Sequence, residues 1–227
     1  MLLTLKLIDI HTHKTEQESG ILSVTSVEPD EYTDLQSRFA ERLFSIGIHP
    51  WNVKIDLDDM LNMLSDLTKN SNVLAIGEIG LDKLKAAEQE TFALQKKIFE
   101  AQLEIAKERR LPIIIHNVKS TSEILSALTK HKITNPVIFH GFRLKKETAE
   151  QIVSKGHYLS FGKLHNEKAM QATPLDRLFL ETDNSAAEIS EIYESAAKTL
   201  GITKTNLAKI IENNYTRLFC NEKEKPE

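Results

Sequence analysis

Leu7-Ile8-Asp9-Ile10-His11-Thr12-His13 is an apolar run that ends in two histidines separated by one residue. Alternate side chains of a β-strand share a face, so His11 and His13 point the same way and Thr12 points the other. Two imidazoles on one face can grip one ion. For the pair alone, a strand end carrying two surface histidines is the plainer reading. What decides against it lies downstream, where Glu78, His116, His140 and Asp183 each stand at the C-terminal edge of a separate short apolar segment.

Those segments set the architecture. Leu5 to Ile10, Ile21 to Val27, Leu43 to Ile48, Val73 to Gly77, Ile113 to Ile115, Pro136 to Phe139, His157 to Phe161 and Leu178 to Leu180 are short runs rich in β-branched and aromatic residues. Turn residues bound them, as they bound strands. Between them the period changes. Leu57, Met60, Leu61, Leu64 and Leu67 recur at helical spacing, as do the apolar positions between Ala86 and Arg110. Helices are also expected from Ser120 to Lys130, Lys145 to Lys155, Ala186 to Leu200 and Thr203 to Phe219, with a short one containing Leu35 and Phe39 after Pro29. Strands that alternate with helices make an α/β protein, most economically a (β/α)8 TIM barrel. A single domain is expected over residues 1–220, with residues 221–227 as a frayed, charged tail.

Composition narrows the partners. The chain has 227 residues, 41% of them hydrophobic and 27% charged, enough apolar material for a sizeable core. A net charge of −4 excludes the strongly basic surface of a repressor or histone. Nucleic acid stays open, because a metal-dependent nuclease concentrates positive charge in its ions and a few local cations. One cysteine, Cys220, excludes an intramolecular disulfide and suggests neither a thiolate zinc site nor an oxidising compartment. No apolar run approaches the ~20 residues of a membrane span, and the N-terminus reads as a strand rather than a signal peptide. The expected location is the cytoplasm.

In a (β/α)8 barrel the active site forms where strands meet the loops that follow them. His11, His13, Glu78, His116, His140 and Asp183 all fall there. Mixed imidazole and carboxylate ligands suit zinc, manganese, iron or cobalt, and Glu78 has the chemistry to bridge two ions. These candidates exceed what one tetrahedral ion uses. A two-metal centre is therefore expected, its ions roughly 3.5–4 Å apart and a water between them acidic enough to attack at neutral pH.

Asp9-Ile10-His11-Thr12-His13, Gly47-Ile48-His49-Pro50, Gly77-Glu78-Ile79-Gly80-Leu81-Asp82, Ile115-His116, His140-Gly141-Phe142 and Leu180-Glu181-Thr182-Asp183 follow one another along the chain. In that order the chain resembles the TatD family of metal-dependent hydrolases, within the amidohydrolase superfamily. The resemblance implies His11, His13 and Asp183 around one divalent metal, His116 and His140 around the other, and Glu78 between them, with zinc, magnesium or manganese as the ions. It also implies that Asp183 orients the attacking water and accepts its proton. Phosphodiester hydrolysis, with DNA as substrate, is the activity implied.

Some positions depart from the family's pattern. Val118 stands where an arginine is usual, Gly141-Phe142-Arg143-Leu144 replaces Cys-Phe-Ser-Gly, and the prolines after Asp183 are missing. Arg143, Lys119 or Lys163 could supply the absent cation, with solvated surface charge the alternative for each. The departures also motivate a two-metal amidohydrolase or phosphatase acting on a small molecule, and a non-catalytic binding barrel is a further alternative. His49 suits a substrate contact, or a hydrogen-bonded structural role. Trp51 could stack on a base, though covering the barrel rim is favoured. His131 and His165, at helix-end or loop positions, are expected to have no chemical role, and His157, at the start of its strand, to lie at the end opposite the ligands.

Overall fold

A computed structural model describes residues 6–16, 19–53, 58–86 and 88–220. The expected strand start at Leu5, the helix start at Leu57 and the tail from 221 lie outside these residues. The strands are β1 (Leu7–Thr12), β2 (Ile21–Val27), β3 (Leu43–Ile46), β4 (Val73–Asp82), β5 (Ile113–Val118), β6 (Val137–Phe139), β7 (Tyr158–Phe161) and β8 (Leu178–Leu180). The helices are α1 (Pro29–Arg38), α2 (Asp58–Leu67), α3 (Gln89–Arg109), α4 (Thr121–Lys130), α5 (Lys146–Val153), α6 (Glu167–Ala172), α7 (Ile189–Leu200) and α8 (Lys204–Tyr215). The strands follow sequence order in one eight-stranded sheet, and every pairing described is parallel. This is the α/β class, with the strand order of a (β/α)8 barrel.

The chain divides into two compact units, one of residues 1–25 with 138–227 and the other of residues 26–137. In the second unit β3, β4 and β5 pair in parallel, with Ile76 opposite Ile113 and Gly80 opposite His116. Helix α3 covers them with a face made of Ile98, Phe99, Leu103 and Ala106, all buried. Two amides, Gln95 and Gln102, lie on that same buried face. Ile48 and Ile98 form a small core against Val53, Met60, Leu61 and Leu94, so the apolar stripe of α2 is packing surface. Pro29 does more than stop β2. It occupies the first turn of α1, where its fixed φ suits a helix and its missing N–H is no loss.

In the first unit β1 pairs with β2, and β6, β7 and β8 pair in order. The end of β8 also meets the end of β1, where Asp183 N–H donates to His11 C=O at 3.0 Å. Tyr193 of α7 fastens this edge. Ile8 N–H donates to the Tyr193 hydroxyl, which donates in turn to Ile8 C=O, each at 3.1 Å. Ile10, Phe161 and Phe179 are fully buried, and each such side chain contributes about 1.5–3 kcal/mol relative to exposure.

Two elements differ from the sequence expectation. Strand β4 runs on to Asp82, so Glu78 stands within the strand rather than at its end. Helix α6 was not expected, since only Ala169 and Met170 of its six residues are buried and no period is visible.

Candidate functional site

Each unit carries its own cluster of imidazoles and carboxylates. In the first, β1 delivers His11, fully buried, and His13 just beyond it, with ring centroids 5.1 Å apart. They share a side, as strand alternation requires. The Nε2 atoms of His11 and His13 stand 3.9 and 3.8 Å from Asp183 Oδ1. That is too long for a hydrogen bond. It is close to the roughly 3.4 Å that separates ligands around a shared ion bound at ~2.1 Å. The His140 ring lies 4.1 Å from that of His11, centroid to centroid.

The frame behind these groups is polar and buried. Asp9 Oδ1 accepts from Thr182 N–H at 2.9 Å, and its Oδ2 accepts from the Thr182 hydroxyl at 2.6 Å. Thr182 in turn accepts from the Thr12 hydroxyl at 2.7 Å. Strand β1 thereby holds the residue next to Asp183. Burial pushes the Asp9 carboxyl up to about 7. Glu181, fully buried, accepts from Gly141 N–H at 2.6 Å and from His140 Nδ1 at 3.2 Å. Burial is the largest influence on Glu181 and acts upward, but the charges of His140 and His11 with the His140 hydrogen bond hold its carboxyl below the ordinary range. His140 therefore has a carboxylate behind it that leaves its Nε2 as the outward nitrogen.

In the second unit His49, Glu78 and His116 converge. His116 Nδ1 is 2.6 Å from Glu78 Oε1, and His49 Nε2 is 3.1 Å from that oxygen and 3.4 Å from His116 Nδ1. Position alone makes His49 a candidate ligand, closer to Glu78 than a substrate contact need be. Its tautomer argues otherwise. Trp51 N–H donates to His49 Nδ1 at 3.1 Å, so Nδ1 is the acceptor and Nε2 carries the hydrogen that Glu78 receives.

The loop that carries His49 is clamped from several directions. Gln102 accepts from Ile48 N–H at 2.7 Å and donates to Ile48 C=O at 3.1 Å. Gln95 donates to Pro50 C=O and accepts from Asp82 N–H, both at 3.0 Å. Glu28 accepts from His49 N–H at 2.8 Å and from the Asn52 amide at 3.0 Å. Burial raises the Glu28 carboxyl to about 7 against those bonds. Asp82 is 2% exposed. Burial is the largest influence on its carboxyl and acts upward, yet hydrogen bonds from Trp51, Lys85, His116 and Leu84 together hold it below the usual aspartate range.

Arg143, Lys119 and Lys163 are exposed, each in the segment after a strand. Trp51 is 56% exposed, with the Lys85 ammonium 4.9 Å from its ring centre. His131 lies between Glu100 and Glu104, His165 beside Gly162 C=O, and His157 is pushed down to about 4 by burial, with Lys155 adding to the shift. His131, His157 and His165 join neither cluster. Sequence reasoning missed Glu28, Asp82, Gln95, Gln102, Thr182 and Glu181 as supports. The available signal was an uncharged amide at positions 95 and 102 of an apolar helical stripe, and a carboxylate beside each ligand motif.

Comparison with known proteins gives the family. The family model for TatD related DNase matches residues 8–220. The uncharacterized metal-dependent hydrolase YcfH of Escherichia coli is 28% identical over 224 residues, covering 87% of this chain and 82% of its own. YabD of Bacillus subtilis, another uncharacterized metal-dependent hydrolase, is 31% identical over 197 residues, covering 77% and 76%. The crystal structure of YjjV, a TatD homologue from Escherichia coli K12, superposes with a TM-score of 0.83 at 20% identity, over 96% of this chain and 99% of that one. The last likeness is one of fold.

Proposed function

This chain belongs to the TatD related DNase family of metal-dependent hydrolases, and from that premise we propose that it is a two-metal phosphodiesterase whose substrate is DNA. We propose further that residues 1–220 work as one catalytic domain, that the protein acts in the cytoplasm, and that its ions are zinc, magnesium or manganese. His11, His13 and Asp183 would hold one ion, His116 and His140 the other, and Glu78 both. Bound there, the ions would supply Lewis acidity to a phosphoryl oxygen and make a water acidic enough to attack.

The chain's own groups do the rest. Asp183 accepts the proton of the attacking water, and the P–O bond to the leaving oxygen breaks as the new P–O bond forms. His49 holds its Nε2–H against Glu78, a donor that keeps this carboxylate in one orientation. Arg143, Lys119 and Lys163 are free to approach a phosphate, and the exposed Trp51 ring with Lys85 offers a face and a charge to a nucleotide.

The observation that carries the reading is the pair of near-equal spacings from His11 and His13 to Asp183 Oδ1, 3.9 and 3.8 Å, set by side chains with no thiolate among them. The test is cleavage of end-labelled DNA by protein stripped of metal and then reloaded with zinc, magnesium or manganese in turn. Cleavage should return with metal and be lost in His116→Ala. DNA left intact by every loaded form would end the nuclease reading. Val118, where the family carries arginine, favours a second reading, a small-molecule amidohydrolase or phosphatase. A panel of amide, ester and phosphomonoester substrates separates the two.

A further inference from the structure

We propose that Asp82 is a positioning residue that turns His116 so that its Nδ1 faces Glu78, and that Trp51 holds Asp82 in place to do so. The inference rests on the metal-binding reading above and concerns how that site is kept in register.

The two oxygens of Asp82 have separate tasks. Oδ1 accepts the backbone N–H groups of Leu84 and Lys85 at 2.8 and 3.1 Å, closing the turn after β4. Oδ2 receives the Trp51 indole N–H at 2.7 Å and faces His116 Nε2 at 3.3 Å. An imidazole that gives one N–H to a carboxylate is fixed in tautomer and in ring rotation, and its other nitrogen becomes the ligand. For His116 that other nitrogen is Nδ1, 2.6 Å from Glu78 Oε1. Glu181 stands to His140 Nδ1 in the same way, at 3.2 Å. Trp51 belongs to the device because its N–H is bound inward, although the ring is 56% exposed. A ring that only covered the surface would not need that bond.

Asp82→Asn separates the two tasks. Its remaining oxygen can still close the turn, while the new NH2 group confronts two N–H donors. Circular dichroism and thermal melting should stay near wild type. Zinc affinity, measured by calorimetry, should fall about 10- to 100-fold, and Trp51→Phe should cost several-fold. In 15N-labelled metal-free protein, the His116 Nε2–H resonance should exchange slowly in wild type and be lost in Asp82→Asn. Wild-type affinity together with an unchanged His116 resonance in Asp82→Asn would overturn the proposal and leave the hydrolase reading intact. If Asp82→Asn fails to fold, Trp51→Phe decides on the same readouts. A wild-type protein that takes up no metal would instead defeat the proposed function, and the exchange measurement would still decide the role of Asp82.

Discussion

Asp183 and His11 meet twice, through a backbone hydrogen bond and through side chains that face each other. Asp183 N–H donates to His11 C=O at 3.0 Å, and its Oδ1 stands 3.9 Å from His11 Nε2. The backbone bond sets the side-chain spacing, and Asp183 meets it with φ of 52°. That left-handed conformation is one that Asp and Asn reach more easily than most residues. Asp183→Asn should therefore keep the backbone and the fold while losing the proton acceptor. Turnover is expected to drop about 10²- to 10⁴-fold with an unchanged circular dichroism spectrum. Wild-type turnover in this variant would remove Asp183 from the chemistry.

Gly80 of β4 lies directly beside the β5 backbone at His116. Its φ is +150°, and a Cβ there would collide with the carbonyl oxygen of His116. No rotamer relieves a clash between backbones. Gly80→Ala should destabilise the protein by about 1–3 kcal/mol or more, read as a lower urea midpoint. An unchanged midpoint would show that the strands can separate without loss.

The placement of the histidine pair was legible because strand alternation is local. His11 and His13 share a side in the sequence pattern and in the structure, and Ile21–Val27 and Leu178–Leu180 match the expected strands residue for residue. What was not legible depends on partners distant in the chain. Gln95 looks like one polar residue among the charges of α3, and only the fold shows that it joins Pro50 to Asp82. Asp82 itself reads as a turn residue, since Gly80 precedes it. The glycine instead lets β4 continue beside His116, and the strand brings Asp82 within reach of Trp51. His49 was read by its place at a strand end, but its tautomer depends on the Trp51 backbone amide.

Glu28 gives the stability a pH dependence. Its carboxyl titrates near 7 in the folded chain, mainly through burial, against an ordinary value of 4.5. Between those values the folded state binds more protons than the unfolded state, so stability falls as pH rises from about 4.5 to about 7. Glu28→Gln keeps an oxygen for His49 N–H and Asn52 and removes the buried charge. The variant should match wild type near pH 4 and exceed it by about 3 kcal/mol at pH 8, in urea unfolding at both pH values. An equal difference at the two values would mean that Glu28 does not titrate in this range.

Trp51 is the only tryptophan of the chain, and its ring centre lies 4.9 Å from that of His49 and 6.0 Å from that of His116. Its emission should therefore report directly on occupancy beside Glu78. Adding Mn²⁺ or Co²⁺ to metal-free protein should quench it along a saturable curve, because a paramagnetic ion held at His116 sits within a few ångströms of the indole. His116→Ala should move the midpoint about tenfold or more to higher metal, and Glu78→Ala should do the same, since Glu78 contacts His116 at 2.6 Å. His131→Ala should leave the curve unchanged, because that histidine lies between Glu100 and Glu104. The exposed ring supplies its own control. Collisional quenching from solvent gives a linear, unsaturating decline that no ligand variant alters, and such a decline in wild type would remove Glu78 and His116 from the metal site.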